Sequence, residues 1–157
     1  MSQTTILAEI KTLLETVTDI GEVHDFVRST YFWDEFFTAH KNSQNGGQIL
    51  TWEITRTATA QELWGVGGVV DNYKRTHSFT LIGRMSLQDS SATEKTFQAL
   101  VDAVQDKFVG DFDLNGTILP VDPPNEIQIK SVGHASFAGI LVHQAILTFE
   151  ATERVGV

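Results

Sequence analysis

The chain has 157 residues, 41% of them apolar and 20% charged, a length and balance that suit one domain over residues 1–157 with a sizeable core. Its net charge is −9 and it has no cysteine, which excludes disulfides, thiolate nucleophiles and cysteine-ligated metal groups and argues against a specific grip on nucleic acid. No apolar run approaches the roughly 20 residues of a membrane helix and no basic-then-apolar leader opens the chain, so no membrane partner and assembly in a cytosol are expected.

Thr4 to Val17 reads as the first helix, with Ile6, Leu7, Ile10, Leu13, Leu14 and Val17 on one face. Asp19 to Glu22 is a turn, and Val23 to Val27 a short strand. Ser29 to His40 is ambiguous. Phe32, Trp33, Phe36 and Phe37 favour a short helix, and the aromatic block from Tyr31 to Phe37 reads as core packing or as a patch left for a partner. Asn42 to Gly47 is a loop by composition. Leu50, Trp52 and Ile54 alternate with Thr51, Glu53 and Thr55, which predicts a strand over 49–59.

Residues 60–72 join that strand to the next and hold Trp64-Gly65-Val66-Gly67-Gly68-Val69-Val70. A tight hairpin needs only about two to five linking residues. This linker is longer, glycine-rich and apolar at once. The strand from 73 to 87 follows, with Tyr73, His77, Phe79, Leu81 and Met85 on one side and Lys74, Thr76, Ser78, Thr80 and Arg84 on the other. Ser91 and Glu94 have the spacing of a capping box before a helix over 91–109, whose stripe is Phe97, Leu100, Val101, Val104 and Phe108. Asp111 to Glu126 is a loop with all three prolines. Strands over 127–132 and 139–152 close the chain. The expected class is α+β, an antiparallel or mixed sheet with two helices on one face and a long β-hairpin arm. Phe97, Val101, Val104, Leu81, Trp52 and Leu147 are expected in one core.

The search for chemistry is mostly negative. Gly65 to Gly68 has no following Lys-Ser or Lys-Thr and opens onto a strand, so it is no phosphate loop. The five histidines lack zinc-site spacing, and His77 and His143 fall on inward faces. Asp111, Asp113, Asn115 and Gly116 begin like a calcium loop, but Pro120 intrudes and the twelfth position is Asp122 rather than glutamate. No serine sits in a nucleophile elbow. No catalytic residue, cofactor or metal is therefore assigned, and no enzymatic turnover is expected. Charge is uneven: residues 41–84 hold five basic and three acidic side chains, while the remainder carries −11. That split suits a surface meeting copies of itself or a charged partner.

The order of elements resembles the tail terminator proteins of long-tailed bacteriophages, also called tail completion or tail-to-head joining proteins. The resemblance rests on Ile6 to Val17, the hairpin with Trp64 to Val70 at its tip, Tyr73 to Leu87, Phe97 to Phe108, and Leu141 to Glu150. It implies a structural virion protein, located in the tail or neck. It implies a hexameric ring that caps the tail tube, with partners in the phage tail tube protein and the head–tail connector protein. The aromatic block and the proline-rich loop have no counterpart in that pattern. An acidic lumen would keep passing DNA from adhering. The expected contact surface is Trp64, Val66, Val69, Val70, Arg75 and Arg84. The alternatives are a tip that folds back onto its own core, and a small-molecule-binding α+β module with a pocket between the sheet and the aromatic segment. A weaker third reading is a hydrolase of unrecognised type.

Overall fold

The computed structural model describes residues 3–28, 33–42, 48–64, 72–111, 113–120 and 126–156. Three helices are found among them: α1 (Gln3–Glu15), α2 (Trp33–His40) and α3 (Thr93–Gly110). The strands are β1 (Glu22–His24), β2 (Lys41–Asn42), β3 (Gln48–Leu63), β4 (Asn72–Ser86), β5 (Gln128–Phe137) and β6 (Ile140–Gly156). The sheet order is β1-β3-β4-β6-β5, with β2 pairing to the start of β3. β1 runs parallel to β3 and every other pair is antiparallel, so the sheet is mixed and the class is α+β.

The alternation read from the sequence places the core. Trp52 and Ile54 of β3, Phe79 and Leu81 of β4, and Leu147 and Phe149 of β6 are all fully buried. They meet Ile6, Ile10 and Leu14 of α1 and Phe97, Val101, Val104 and Phe108 of α3 in a single cluster. Trp52 lies directly opposite Gly83, and a methyl group at Gly83 would come within 2.7 Å of the indole. Glycine there leaves the space in which the ring lies flat on β4. Gly21 ends the turn after α1 at φ +84°, against the Leu50 carbonyl, where no side chain fits.

Three strand ends and one helix cap need correction. The strands expected to end at 59, 132 and 152 continue to Leu63, Phe137 and Gly156. Each extension has a ladder partner: residues 60–63 pair with 73–76, 133–137 with 140–144, and 153–156 with 72–75. Polar, glycine-containing composition does not end a strand whose backbone groups are matched across the ladder. The capping box does not form. The residue before α3 is Ala92, at φ 50°, and no side chain caps the helix. Instead Thr93 Oγ1 accepts the Gln88 amide at 2.9 Å and donates to the Gln88 carbonyl at 3.1 Å, closing the loop through a short 3-10 turn at Asp89–Ser91. Ser91 is turned toward Gln88 rather than Glu94.

Within the ambiguous aromatic segment Trp33–His40 forms α2, on the sheet face opposite α1 and α3. Phe36 lies 5.2 Å from Phe137, and His40 lies 5.1 Å from the same ring. Phe36 and His40 thus pack against the sheet, while Tyr31 and Phe32 lie outside the described residues.

Candidate assembly surface

The burial of β3 changes abruptly along its length. Ile49 to Ile54 are buried, and every residue from Arg56 to Leu63 is exposed. The change coincides with a bulge between Arg56 and Ala58, where Thr57 Oγ1 donates to the Ser78 carbonyl at 3.2 Å. A bulge inserts one residue, bends the strand and resets which side chains face which side. Beyond it, β3, β4 and the end of β6 continue as a three-stranded arm. Its end is pinned by the Trp64 amide donating to the Asn72 carbonyl at 3.0 Å.

Two large apolar side chains stand at that end, Leu63 at 62% exposure and Trp64 at 45%. The Arg154 guanidinium lies over the indole at 5.4 Å, and its Nε donates to Asn72 Oδ1 at 2.8 Å. The described end of the arm is thus an indole with a cation fixed on it. Val66, Val69 and Val70, with the glycine run between them, lie outside the described residues.

The two arginines expected on the contact surface are both engaged within the chain. Arg75 donates through Nε and Nη2 to Gln61 Oε1 at 3.1 and 2.9 Å, and through Nη1 to Glu153 Oε1 at 3.4 Å. Arg84 lies toward the other end of β4, on the α2 face. Its Nη1 donates to Glu53 Oε2 at 2.6 Å, its Nε donates to Gln144 Oε1 at 3.2 Å, and its guanidinium lies 4.4 Å over Phe137. The structure therefore groups Trp64 with Arg154, not with Arg84.

Two buried carboxylates went unread in the sequence. Glu53, 4% exposed, takes Arg84 on one oxygen and the Arg28 amide on the other at 2.9 Å. His40 sits beside it at 3.9 Å, bonded through Nδ1 to Thr51 Oγ1 at 3.2 Å. Burial lowers the His40 pKa below 6.5, against an opposing pull from Glu53; His24 and Arg84 lower it further. At the root of the arm, Glu153 is 1% exposed. His77 Nε2 lies 3.0 Å from Glu153 Oε1, and His77 Nδ1 lies 2.9 Å from Thr59 Oγ1. Glu153 lies directly across the ladder from Arg75, and Glu53 lies diagonal to Arg84, which pairs with Thr51; both neighbours are set by the register between strands, which one strand's sequence does not carry.

Hydroxyl, imidazole and carboxylate within hydrogen-bond reach is the order that activates a nucleophile. Such chemistry also needs free donors for a developing oxyanion and a recess for substrate. Thr59 lies on β3 just past the bulge, directly across the ladder from His77. The cluster ties β3, β4 and β6 together at the arm's root. His143, the other inward histidine, lies 2.9 Å from Thr93 Oγ1 and stacks on Phe97, so it anchors the start of α3. Asp111 Oδ1 accepts the Asn115 amide at 2.7 Å, which closes a turn where the partial calcium-loop pattern stands. No cluster of three metal-ligating side chains occurs among the described residues, and no helix there is long and apolar enough to cross a membrane.

A groove of about 750 Å³ opens at the opposite end of the sheet from the arm. It lies between α1, α3 and the turn into β1, away from the aromatic segment, where the alternative small-molecule reading placed a pocket. No protein-family model and no curated protein sequence matches the chain.

Proposed function

We propose that the protein is a structural assembly subunit of the phage tail terminator kind, forming a ring that caps a tail tube and meets the head connector, with no catalytic turnover. The single observation that carries the reading is the arm: three paired strands run past the bulge to end in exposed Leu63 and Trp64. Solvent-exposed indole fixed at the end of a projecting ladder is the kind of anchor that interfaces bury. Open edges support the same reading. β5 is the last strand of the sheet, and no described strand pairs with the outer side of β3 beyond Glu53. Unpaired edges invite pairing with another chain. The resemblance rests on a helix, a long hairpin, a helix and a closing strand pair; the chain has these elements, with β1, α2 and β2 added between the first helix and the hairpin.

The test is assembly against stability. Native mass and sedimentation are measured for the wild-type chain and for Leu63→Ser with Trp64→Ala, alone and with tail tubes. Loss of rings and of tube capping, with the melting temperature of the subunit nearly unchanged, is the expected result. A fall in stability of several kcal/mol with assembly intact would place the arm's end in the subunit's own core and end the proposal.

A further inference from the structure

We infer that the groove between α1, α3 and β1 is the socket for the Trp64–Arg154 end of the arm of a second copy of this chain. The inference rests on the assembly reading above and specifies the interface. Buried Leu50 and Met85 give the groove an apolar floor, exposed Ala99 stands on its α3 side, and Glu15, Asp19 and Glu22 also line it, with no lysine or arginine among the lining residues. Glu15 is partly engaged by Lys11 at 3.7 Å. The arm's end presents the complementary pair, a half-exposed indole and a guanidinium 5.4 Å from its centre. Among the described residues no carboxylate forms an ion pair with Arg154, whereas Lys74 and Arg75 on the same arm already pair with Glu62 and Glu153. A recess of about 750 Å³ falls in the range of sites that enclose drug-sized groups, so indole and guanidinium fit together.

Register decides that the occupant comes from another copy. Leu50, in the groove floor, pairs with Met85 at one end of the β3–β4 hairpin, and Leu63 pairs with Tyr73 at the other. At about 3.3 Å per residue, these ends are roughly 40 Å apart. The ladder is continuous between them apart from one bulge, so an arm cannot reach its own groove. A contact between opposite ends of identical chains is head-to-tail, and such contacts close into rings or run on as filaments.

Complementation tests this directly. One variant lacks the knob, Trp64→Ala with Arg154→Ala. The other fills the socket, Ala99→Trp, at an exposed position of α3 in the groove's lining. Native mass spectrometry reads each alone and both mixed, with circular dichroism melts confirming that each folds. Each variant alone should be monomeric, with self-association weakened more than tenfold. The mixture should give one-to-one dimers and nothing larger, because only one intact knob meets one intact socket. If the wild-type chain assembles and Ala99→Trp assembles equally well, the socket is wrong while the assembly reading stands. A wild-type chain that stays monomeric at every concentration, with and without tubes, overturns both. A small molecule retained by the wild-type monomer and lost in Ala99→Trp assigns the groove to a ligand and overturns the socket.

Discussion

At the scale of single residues, the polar side chains inside this fold are more consequential than their number suggests. A buried carboxylate is tolerable only while paired, and removing one partner costs about 3–5 kcal/mol because the other charge is stranded. Arg84→Met should therefore destabilise the chain by about that amount, and Glu53→Leu with Arg84→Met should recover most of it, as read by urea unfolding. A double variant no better than the single would mean that Glu53 is held by something other than its charge partner. The buried histidines set a pH dependence. His40 and His143 are both lowered from 6.5, chiefly by burial, His143 further by His134 and against a pull from Glu94. The unfolded chain then binds more protons than the folded one at and below pH 6.5, so stability is full above that pH and falls as the pH drops below it. Melting temperature should decline between pH 7 and 5, and His40→Gln with His143→Gln should flatten the decline. These side chains were the least legible part of the sequence. Glu53 alternates with Trp52 and Ile54, so period two assigns it to the wet face, and it is covered there by His40 of α2, the Arg28 amide and Arg84.

At the scale of elements, hydrophobic period was a good guide to existence and a poor one to ends. Both long helices and the faces of four strands follow from it, because each buries one side against the same core. Strand ends are decided by ladder partners, which one strand's own sequence does not show. The same holds for the start of α3, where a pattern fit for Ser91 and Glu94 loses to Thr93 and Gln88. Phe97 is 1% exposed and stacks on His143, so Phe97→Ala should cost about 3–5 kcal/mol in chemical denaturation. Gly83→Ala should cost about 1–3 kcal/mol by driving a methyl into Trp52. The β5–β6 turn offers the opposite sign. Ala138 and Gly139 both have positive φ, 55° and 77°, the conformation of a two-residue hairpin turn that favours Asn-Gly. Ala138→Asn should stabilise by about 1 kcal/mol, and a lowered melting temperature would show that the left-handed strain at Ala138 is not what limits the turn.

At the scale of the whole molecule, two electrostatic effects oppose each other, and their ranges separate them. Every copy carries −9, so copies repel over tens of ångströms. The proposed socket adds attraction at contact range, between Arg154 and the carboxylates of Asp19 and Glu22. The screening length falls from about 30 Å at 0.01 M salt to about 10 Å at 0.1 M and about 3 Å at 1 M. The first tenfold rise in salt therefore removes mostly the long-range repulsion, and assembly should strengthen. The second reaches the contact pairs, and assembly should weaken despite the stronger drive to bury Trp64. Sedimentation across this range should show self-association strongest near 0.1 M. In Arg154→Gln the weakening at high salt should disappear while the strengthening at low salt remains, since net charge is scarcely changed. Association that strengthens steadily to 1 M in the wild-type chain would mean that only apolar burial holds the copies together, and that the acidic rim of the groove plays no part in receiving the arm.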